Sequence, residues 1–384
     1  MKNQKKHFKL PKSISYLNTA YMAATHREVE KIGKASIALK SLPHTIKGTH
    51  FFEAPQKLCK SFGQLIDTKD IHNIAIVPSV SYALANAANN VKLKAGDEIL
   101  MLENQFPSNV YPWIKVAKAN KAKVKFVKAP TTLKNRGKIW NKKILKAINK
   151  KTAIVAMPHI HWADGTLFDL MSIRLKTRNH DALLMIDGTQ SVGALPFSIK
   201  TLQPDVLVCA GYKWLMGPYS IGLAYYGDYF KNGEPIENNW INRLNSEDFG
   251  GLVNYQPRYR KDASRYSVGE SSNFSLVPML AKSLKQINKW GPKNIQNYCD
   301  KISKDAVEEL RSLGCFIDAD EYRSKNLFGI RLPKKVNLNK LKKRWAKDQV
   351  IVSYRGDYVR VSPHVYNDKE DFVKLVRGVK KSMK

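Results

Sequence analysis

The sequence predicts an α/β protein in which a mostly parallel central sheet is flanked by helices and followed by a smaller α+β unit. Three observations carry that expectation. Between residues 74 and 226, short apolar, β-rich runs alternate with segments mostly long enough for a crossover helix, the pattern of a parallel sheet. Near Ser275 the rhythm changes to a long helical stretch, then a few strands and a closing helix. The chain has 384 residues, 43% hydrophobic and 25% charged, which supplies core for more than one unit and excludes a disordered chain.

Taken in order, the predicted strands are 74–77, 98–102, 123–127, 153–157, 183–187, 206–210 and 221–226, each a run of branched and apolar residues. Trp140, Ile144, Leu145 and Ile148 fall at helical spacing with lysines on the other faces, so a crossover helix is expected there. The carboxy-terminal unit is predicted to carry strands at 326–332, 350–354 and 358–362 and a last helix from Asp368. The expected division is an arm at 1–30, a large domain at 31–274 and a small domain at 275–384. No internal repeat or low-complexity linker interrupts it.

Charge and cysteine usage narrow the function classes. Lys plus Arg number 65 and Asp plus Glu 32, a net charge of +33. Such a field attracts polyanions. The lysines are spread over helical faces, however, and no RNP1, helix-turn-helix or KH pattern accompanies them, so a nucleic-acid partner is not expected. Cys59, Cys209, Cys299 and Cys315 form no CxxC pair, which argues against a zinc ribbon or a disulfide scaffold. The basic amino terminus lacks the apolar stretch of about 7–15 residues that a signal peptide needs, and nothing approaches the roughly 20 apolar residues of a membrane span. A cytoplasmic enzyme is expected.

In an open parallel sheet, ligands sit beyond the carboxyl ends of the strands. There the sequence places Asp187, ending strand 183–187 in DGTQ with Gln190 three residues on, and Lys213, following strand 206–210 in GYKWLMGPYSIG. A lysine between Tyr212 and Trp214, with glycines close behind, does not lie on an ordinary solvated face. Desolvation beside aromatics lowers its pKa and makes the neutral amine a nucleophile for a Schiff base. An aspartate opposite suits a pyridinium nitrogen, whose protonated ring is an electron sink. The competing reading of Asp187 is a helix N-cap. His159 and His161 alternate as metal ligands would, but no third ligand stands at sensible spacing, and no metal is assigned.

DGTQ, GYKWLMGPYSIG, RYSVGESSNF and YVRVSPHVYND, in that order, resemble the class V aminotransferase superfamily of pyridoxal-phosphate enzymes, which includes cysteine desulfurases, kynureninase and isopenicillin-N epimerase. The resemblance runs from about Tyr16 to the carboxy terminus and implies the type I fold of these enzymes. It implies that Lys213 carries the cofactor as a Schiff base and shuttles the α-proton, that Asp187 pairs with the pyridine nitrogen, and that Gln190 reaches the phenolic oxygen. Ser79, Val80 and Ser81, at the start of a helix, and the Tyr212 hydroxyl would hold the phosphate. Phe106 would stack on the ring and Trp162 would face it. Gly269 and Ser271 would reach the phosphate of a partner subunit, so a homodimer is implied. Arg360 would bind the substrate α-carboxylate through its bidentate fork, with Asn18 a second substrate-side residue. Ser79 and Ser81 are alternatively plain caps, Phe106 core, and Arg355 a rival to Arg360.

The sequence also departs from the family it resembles. SYRGDYVRVSP has no cysteine where desulfurases carry their catalytic one. Tyr212 and Phe106 stand where desulfurases have histidines, and Gln190 where kynureninases usually have one. The expected activity is that of an amino-acid aminotransferase, with a lyase or epimerase as the alternative on the same fold and a nucleic-acid-binding protein on a degenerate enzyme fold as the remote one.

Overall fold

A computed structural model describes residues 1–383. The arm contributes a two-residue strand β1 (Ser15–Tyr16) and leads into helices α1 (Arg27–Leu39) and α2 (His50–Leu65). The central region then alternates as β2 (Ile74–Val77), α3 (Val80–Asn90), β3 (Glu98–Leu102), α4 (Tyr111–Ala119), β4 (Lys123–Val127), α5 (Arg136–Ala147), β5 (Thr152–Pro158), α6 (Leu170–Arg178), β6 (Leu183–Asp187), a single turn α7 (Ile199–Leu202), β7 (Val206–Ala210) and β8 (Gly222–Tyr226). Every predicted central strand is present, with bounds moved by no more than a residue. Trp140, Ile144 and Ile148 are buried, as the helical spacing over α5 requires, while Lys138, Lys142 and Lys143 are exposed.

These seven strands form one sheet in the order β2-β8-β7-β6-β5-β3-β4. All neighbours are parallel except β8, which runs antiparallel to both β2 and β7. The reason is local: residues 211–221 contain no helix, so β8 returns directly beside β7 and no crossover exists to make it parallel. Both faces of the sheet are covered. Ile99, Met101, Ile154, Ala156 and Met185 join the core on one face, while Leu100, Leu102, Val155, Met157 and Ile186 join the core on the other. The two-residue period of a strand enforces that split, and burial on both sides explains why the strands read as continuous apolar runs.

Downstream come α8 (Leu276–Trp290), α9 (Pro292–Ser312), β9 (Phe328–Arg331), α10 (Leu338–Lys347), β10 (Val350–Ile351), β11 (Ser353–Arg355), β12 (Tyr358–Val361) and α11 (Lys369–Lys381). The long helix expected from 275 is two helices, because Gly291 adopts φ 77° and Pro292 opens the next one. Val277, Leu280, Leu284 and Ile287 of α8 belong to the central core, and α8 packs on α1 and α2. A separate core gathers α9, α10 and α11 against β9 and β12, with Leu17 of the arm inside it. The run predicted as one strand over 350–354 is divided: β10 pairs parallel with β1, and β11 pairs antiparallel with β12 in a three-stranded sheet β11-β12-β9. α11 starts on a capping box in which Asp368 and Asp371 satisfy each other's backbone N–H groups.

One glycine fixes how the chain passes the carboxyl edge of the sheet. Gly193 has φ 102°, and a Cβ there would lie 2.3 Å from the carbonyl oxygen of Trp214. Gly193→Ala is expected to lower the unfolding free energy by about 2–4 kcal/mol, the sum of left-handed strain and overpacking, read as a lower urea midpoint at unchanged slope. An unchanged midpoint would show that the Trp214 turn relaxes freely.

Candidate active site

Strands β6 and β7 are parallel neighbours, and each ends on the residue before a turn. After β6, the Thr189 N–H donates to Asp187 Oδ1 at 2.9 Å, while Thr189 Oγ1 accepts from the Ala210 N–H at 3.2 Å. The turn that holds Asp187 is thus tied to the end of β7. No helix starts at Asp187, so it is not an N-cap. After β7, Gly211 donates to the Ile221 carbonyl at 2.9 Å, Gly217 donates back to Gly211 at 2.8 Å, and Met216 donates to the Lys213 carbonyl at 3.0 Å. Met216 and Ser220 take the left-handed φ values of 51° and 64° needed to close so tight a loop. Lys213 is carried inward on it and is only 7% exposed.

Asp187 and Lys213 line one cavity of about 320 Å³. Burial raises the Asp187 carboxyl above its ordinary value, opposed by the Thr189 hydrogen bonds and by Lys213. Burial also pushes Lys213 down to about 8; Asp187 works against that shift, and Arg360 and Arg355 add to it. The lysine ammonium lies 5.3 Å from the Phe106 ring centre and 5.6 Å from that of Tyr212.

Helix α3 meets the cavity end-on. Ser79 is its N-cap: its Oγ accepts from the Tyr82 N–H at 3.1 Å and lies 2.9 Å from Ser81 Oγ. Ser79, Val80 and Ser81 all line the cavity, so the first-turn N–H groups and two hydroxyls face it together. Capping and lining are compatible at Ser79. Phe106 is 37% exposed and belongs to the cavity wall, not to the core. Trp162 stands edge-on to it at 5.4 Å and is fixed by its Nε1–H donating to the Asn104 carbonyl at 2.8 Å. Gln190 lines the cavity too, with its Nε2 donating to Ala20 O at 3.2 Å and its Oε1 accepting from Trp214 Nε1 at 2.9 Å. Tyr212 packs on Tyr219 at 4.6 Å.

The other predicted site residues sit outside that wall. Arg360 is 2% exposed, donates from one terminal nitrogen to the Trp162 carbonyl at 2.8 Å, and leaves its Nε without a partner among the described residues. Asn18 is buried against the small sheet, where its Oδ1 accepts from Ser353 Oγ at 2.7 Å. Gly269 donates its N–H to Glu237 at 3.0 Å, and Ser271 lines a different hollow with Phe51 and Ser267. His161 faces Asp164 at 3.1 Å, and His159 is half-buried, with its pKa lowered to about 4 by desolvation. No group of three His, Cys, Asp or Glu side chains stands ready for a metal among the described residues. Sequence reasoning missed Thr189, Gln105, Asn109, Tyr219 and Ser220 on the wall. Thr189 was within reach, because it lies inside DGTQ and a buried strand-end carboxylate needs local donors.

A buried carboxylate, an amine of lowered pKa, a flanking aromatic ring and a helix N-terminus with hydroxyls surround one space. That donor set fits a flat aldehyde with a protonated ring nitrogen and a dianionic tail. The family model described as aminotransferase class-V matches residues 29–375. The chain belongs to that family. Class V enzymes use pyridoxal phosphate, and this is the cofactor of the chain. Among relatives, it is 25% identical over 330 residues to the uncharacterized aminotransferase YcbU of Bacillus subtilis strain 168, covering 85% of this chain and 84% of that one. It is also 25% identical over 305 residues to a probable cysteine desulfurase of Borreliella burgdorferi, covering 78% of this chain and 65% of the relative. The cysteine desulfurase of Thermococcus onnurineus NA1 superposes with a TM-score of 0.83 at 19% identity, with 99% of each chain covered. C-DES, solved as a variant with glycine covalently linked to its pyridoxal phosphate, superposes at 0.85 with 17% identity and 98% of each chain covered. The fold is accordingly the type I fold of pyridoxal-phosphate enzymes. No helix of the described residues is long and apolar enough to cross a membrane.

Only a neutral amine attacks an aldehyde, and below its pKa Lys213 is protonated. When pyridoxal phosphate is added to cofactor-free class V enzyme, the rate at which its visible band forms is expected to rise with pH around a midpoint near 8, not near the ordinary lysine value of 10.5. A midpoint near 10.5 would remove the desolvated lysine from the site.

Proposed function

We propose that the chain is a homodimeric aminotransferase acting on an amino acid, with Lys213 as its Schiff-base lysine. The observation that carries the proposal is the opposition of Lys213 to Asp187 in one cavity entered by the amino terminus of α3. Pyridoxal phosphate, when bound, supplies an electron sink for a carbanion at the substrate α-carbon. Within that setting Lys213 is the base that takes and returns the α-proton, since an amine titrating near 8 is available in both forms around neutrality. The Asp187 carboxylate keeps the ring nitrogen protonated, which relieves the cost of its own burial. Gln190 retains one Nε2–H for the phenolic oxygen after bonding Ala20. Ser79, Val80, Ser81 and the Tyr212 hydroxyl hold the phosphate. Phe106 and Trp162 hold the ring plane and exclude water. Arg360 takes the α-carboxylate, Asn18 supports that end from the arm, and Gly269 and Ser271 serve the partner subunit's phosphate. A cytoplasmic location suits four cysteines that are all free thiols.

A second reading has one specific observation behind it. No cysteine lines the cavity among the described residues; Cys209, in β7, is buried and its thiol is raised by burial and by Asp187. An enzyme-bound persulfide is thereby disfavoured, whereas a lyase that leaves sulfur on its product needs no enzyme thiol. C-DES is such a C–S lyase, crystallised with its product cysteine persulfide.

The test is a screen of amino acids with analysis of products. Aminotransfer predicts keto acid in step with loss of amino acid, continuing beyond one equivalent of enzyme only in the presence of an acceptor keto acid. Release of ammonia or reduced sulfur without an acceptor would establish the lyase instead. Borohydride is expected to fix cofactor onto the wild-type protein and not onto Lys213→Ala. Arg360→Gln is expected to raise KM by about 10- to 100-fold, the loss of one charge-assisted pair.

A further inference from the structure

Hairpin β11–β12 presents a second arginine beside the first. Its register pairs Ser353 with Arg360 and Arg355 with Tyr358. Directly paired residues share a face of an antiparallel ribbon, and so do residues two apart, so Arg355 and Arg360 look the same way. Both converge on Trp162, a wall residue of the cavity. The Arg355 guanidinium lies 5.5 Å from the centre of the indole, and Arg360 donates to the carbonyl of the same residue at 2.8 Å.

Neither guanidinium has an acidic partner among the described residues. Asp357, the one carboxylate of the hairpin, pairs instead with Arg331 at 3.2 Å. Among the described residues, the one side-chain hydrogen bond of Arg355 goes to the Tyr354 carbonyl at 2.7 Å, which leaves most of its donors free. Burial is the main reason that Arg360 and Lys213 have lowered pKa values, and the two cations are close enough that Arg355 adds to the shift of Arg360 and both add to that of Lys213. Charge matching around the cavity then leaves a remainder. Asp187 answers the ring nitrogen, the α3 amino terminus answers the phosphate, and Arg360 answers the α-carboxylate. Arg355 is left with nothing to bind in a substrate that carries one carboxylate.

We propose that Arg355 is a second anion-binding group of the substrate site, and that the substrate is an amino acid with an acidic side chain, its α-carboxylate on Arg360 and its side-chain carboxylate on Arg355. The proposal rests on the assignment of Lys213 as the Schiff-base lysine. The planar fork of arginine suits a carboxylate bidentately, and the indole beneath keeps the guanidinium in place without neutralising it. Before a substrate arrives, the uncompensated charges also favour encounter with amino acids of net negative charge over net-neutral ones.

The experiment is an absorbance titration of holoenzyme with L-aspartate, L-glutamate, L-alanine and L-cysteine, alongside thermal unfolding with succinate, glutarate or butyrate. In wild type, the better of the two acidic amino acids is expected to half-saturate at about 10- to 100-fold lower concentration than alanine or cysteine, and one dicarboxylate to raise Tm where butyrate does not. Arg355→Gln is expected to erase both preferences and leave the alanine titration in place, and Arg355→Lys to restore part of them. Equal affinity for neutral and acidic amino acids in wild type would overturn the proposal. So would an Arg355→Gln variant that weakens all four equally, because Arg355 would then serve the α-carboxylate or the fold. Spectral silence toward every amino acid would bring down the Lys213 assignment and the proposal with it, an outcome distinct from indiscriminate binding.

Discussion

A carboxylate and an ammonium are taken out of water together at the ends of β6 and β7, and the architecture around them follows from that cost. Each is disfavoured by burial and each partly offsets the other, with Thr189 supplying the only local donors to the Asp187 side chain among the described residues. The arrangement requires adjacent parallel strands ending at one level, which a seven-stranded sheet buried on both faces provides rigidly. It also requires a return so tight that β8 has to run antiparallel, with non-glycine residues held in the left-handed region to close the loop. Strain of about 1–3 kcal/mol per such residue persists only where surrounding structure over-determines it. The hydrogen bonds between Gly211 and Ile221 and between Gly217 and Gly211 do so here.

The second half of the site is held by a buried polar network. Arg136, at the start of α5, reaches Asp164 and Thr166 at 2.8 Å each, and Asp318 accepts from the Gly137 N–H at 3.1 Å. The loop containing Trp162 is therefore pinned at its far end both to the central helices and to the segment that precedes β9. Because Arg360 donates to the carbonyl of Trp162, the guanidinium inherits its orientation from this network. Buried ions of this kind do little for stability relative to apolar packing.

The central strands were legible because two-sided burial leaves an unbroken apolar signal, and Asp187 and Lys213 were legible because polar residues at the ends of such strands stand out. The division of 350–354 was not: β10 and β11 share an apolar pattern, and only the distant partner β1 decides where one ends. The break between α8 and α9 is written in Gly291-Pro292, but one continuous amphipathic pattern on either side hid it. Gln190 reads as a cofactor ligand from its motif, yet its carbonyl is engaged by Trp214 and its amide by Ala20, contacts that no local pattern encodes. Tyr219 and Ser220 reach the wall only through the left-handed turn at Ser220, which a serine does not announce. The net charge of +33 proved a poor guide to the site, since exposed lysines such as Lys138, Lys142 and Lys143 carry much of it.

The arm ties the two extremes of the polypeptide together. Ser15 and Tyr16 pair with Val350 and Ile351, Asn18 bridges Ser362, Thr19 shares a hydrogen with Tyr366, and Ala20 then offers its carbonyl to Gln190. A growing chain that emerges from the ribosome amino terminus first cannot settle those residues until 350–366 have followed. The wall beside Gln190 therefore depends on residues from both ends of the sequence. Loss of either the arm or the 350–366 segment is therefore expected to bare the Gln190 side of the pocket.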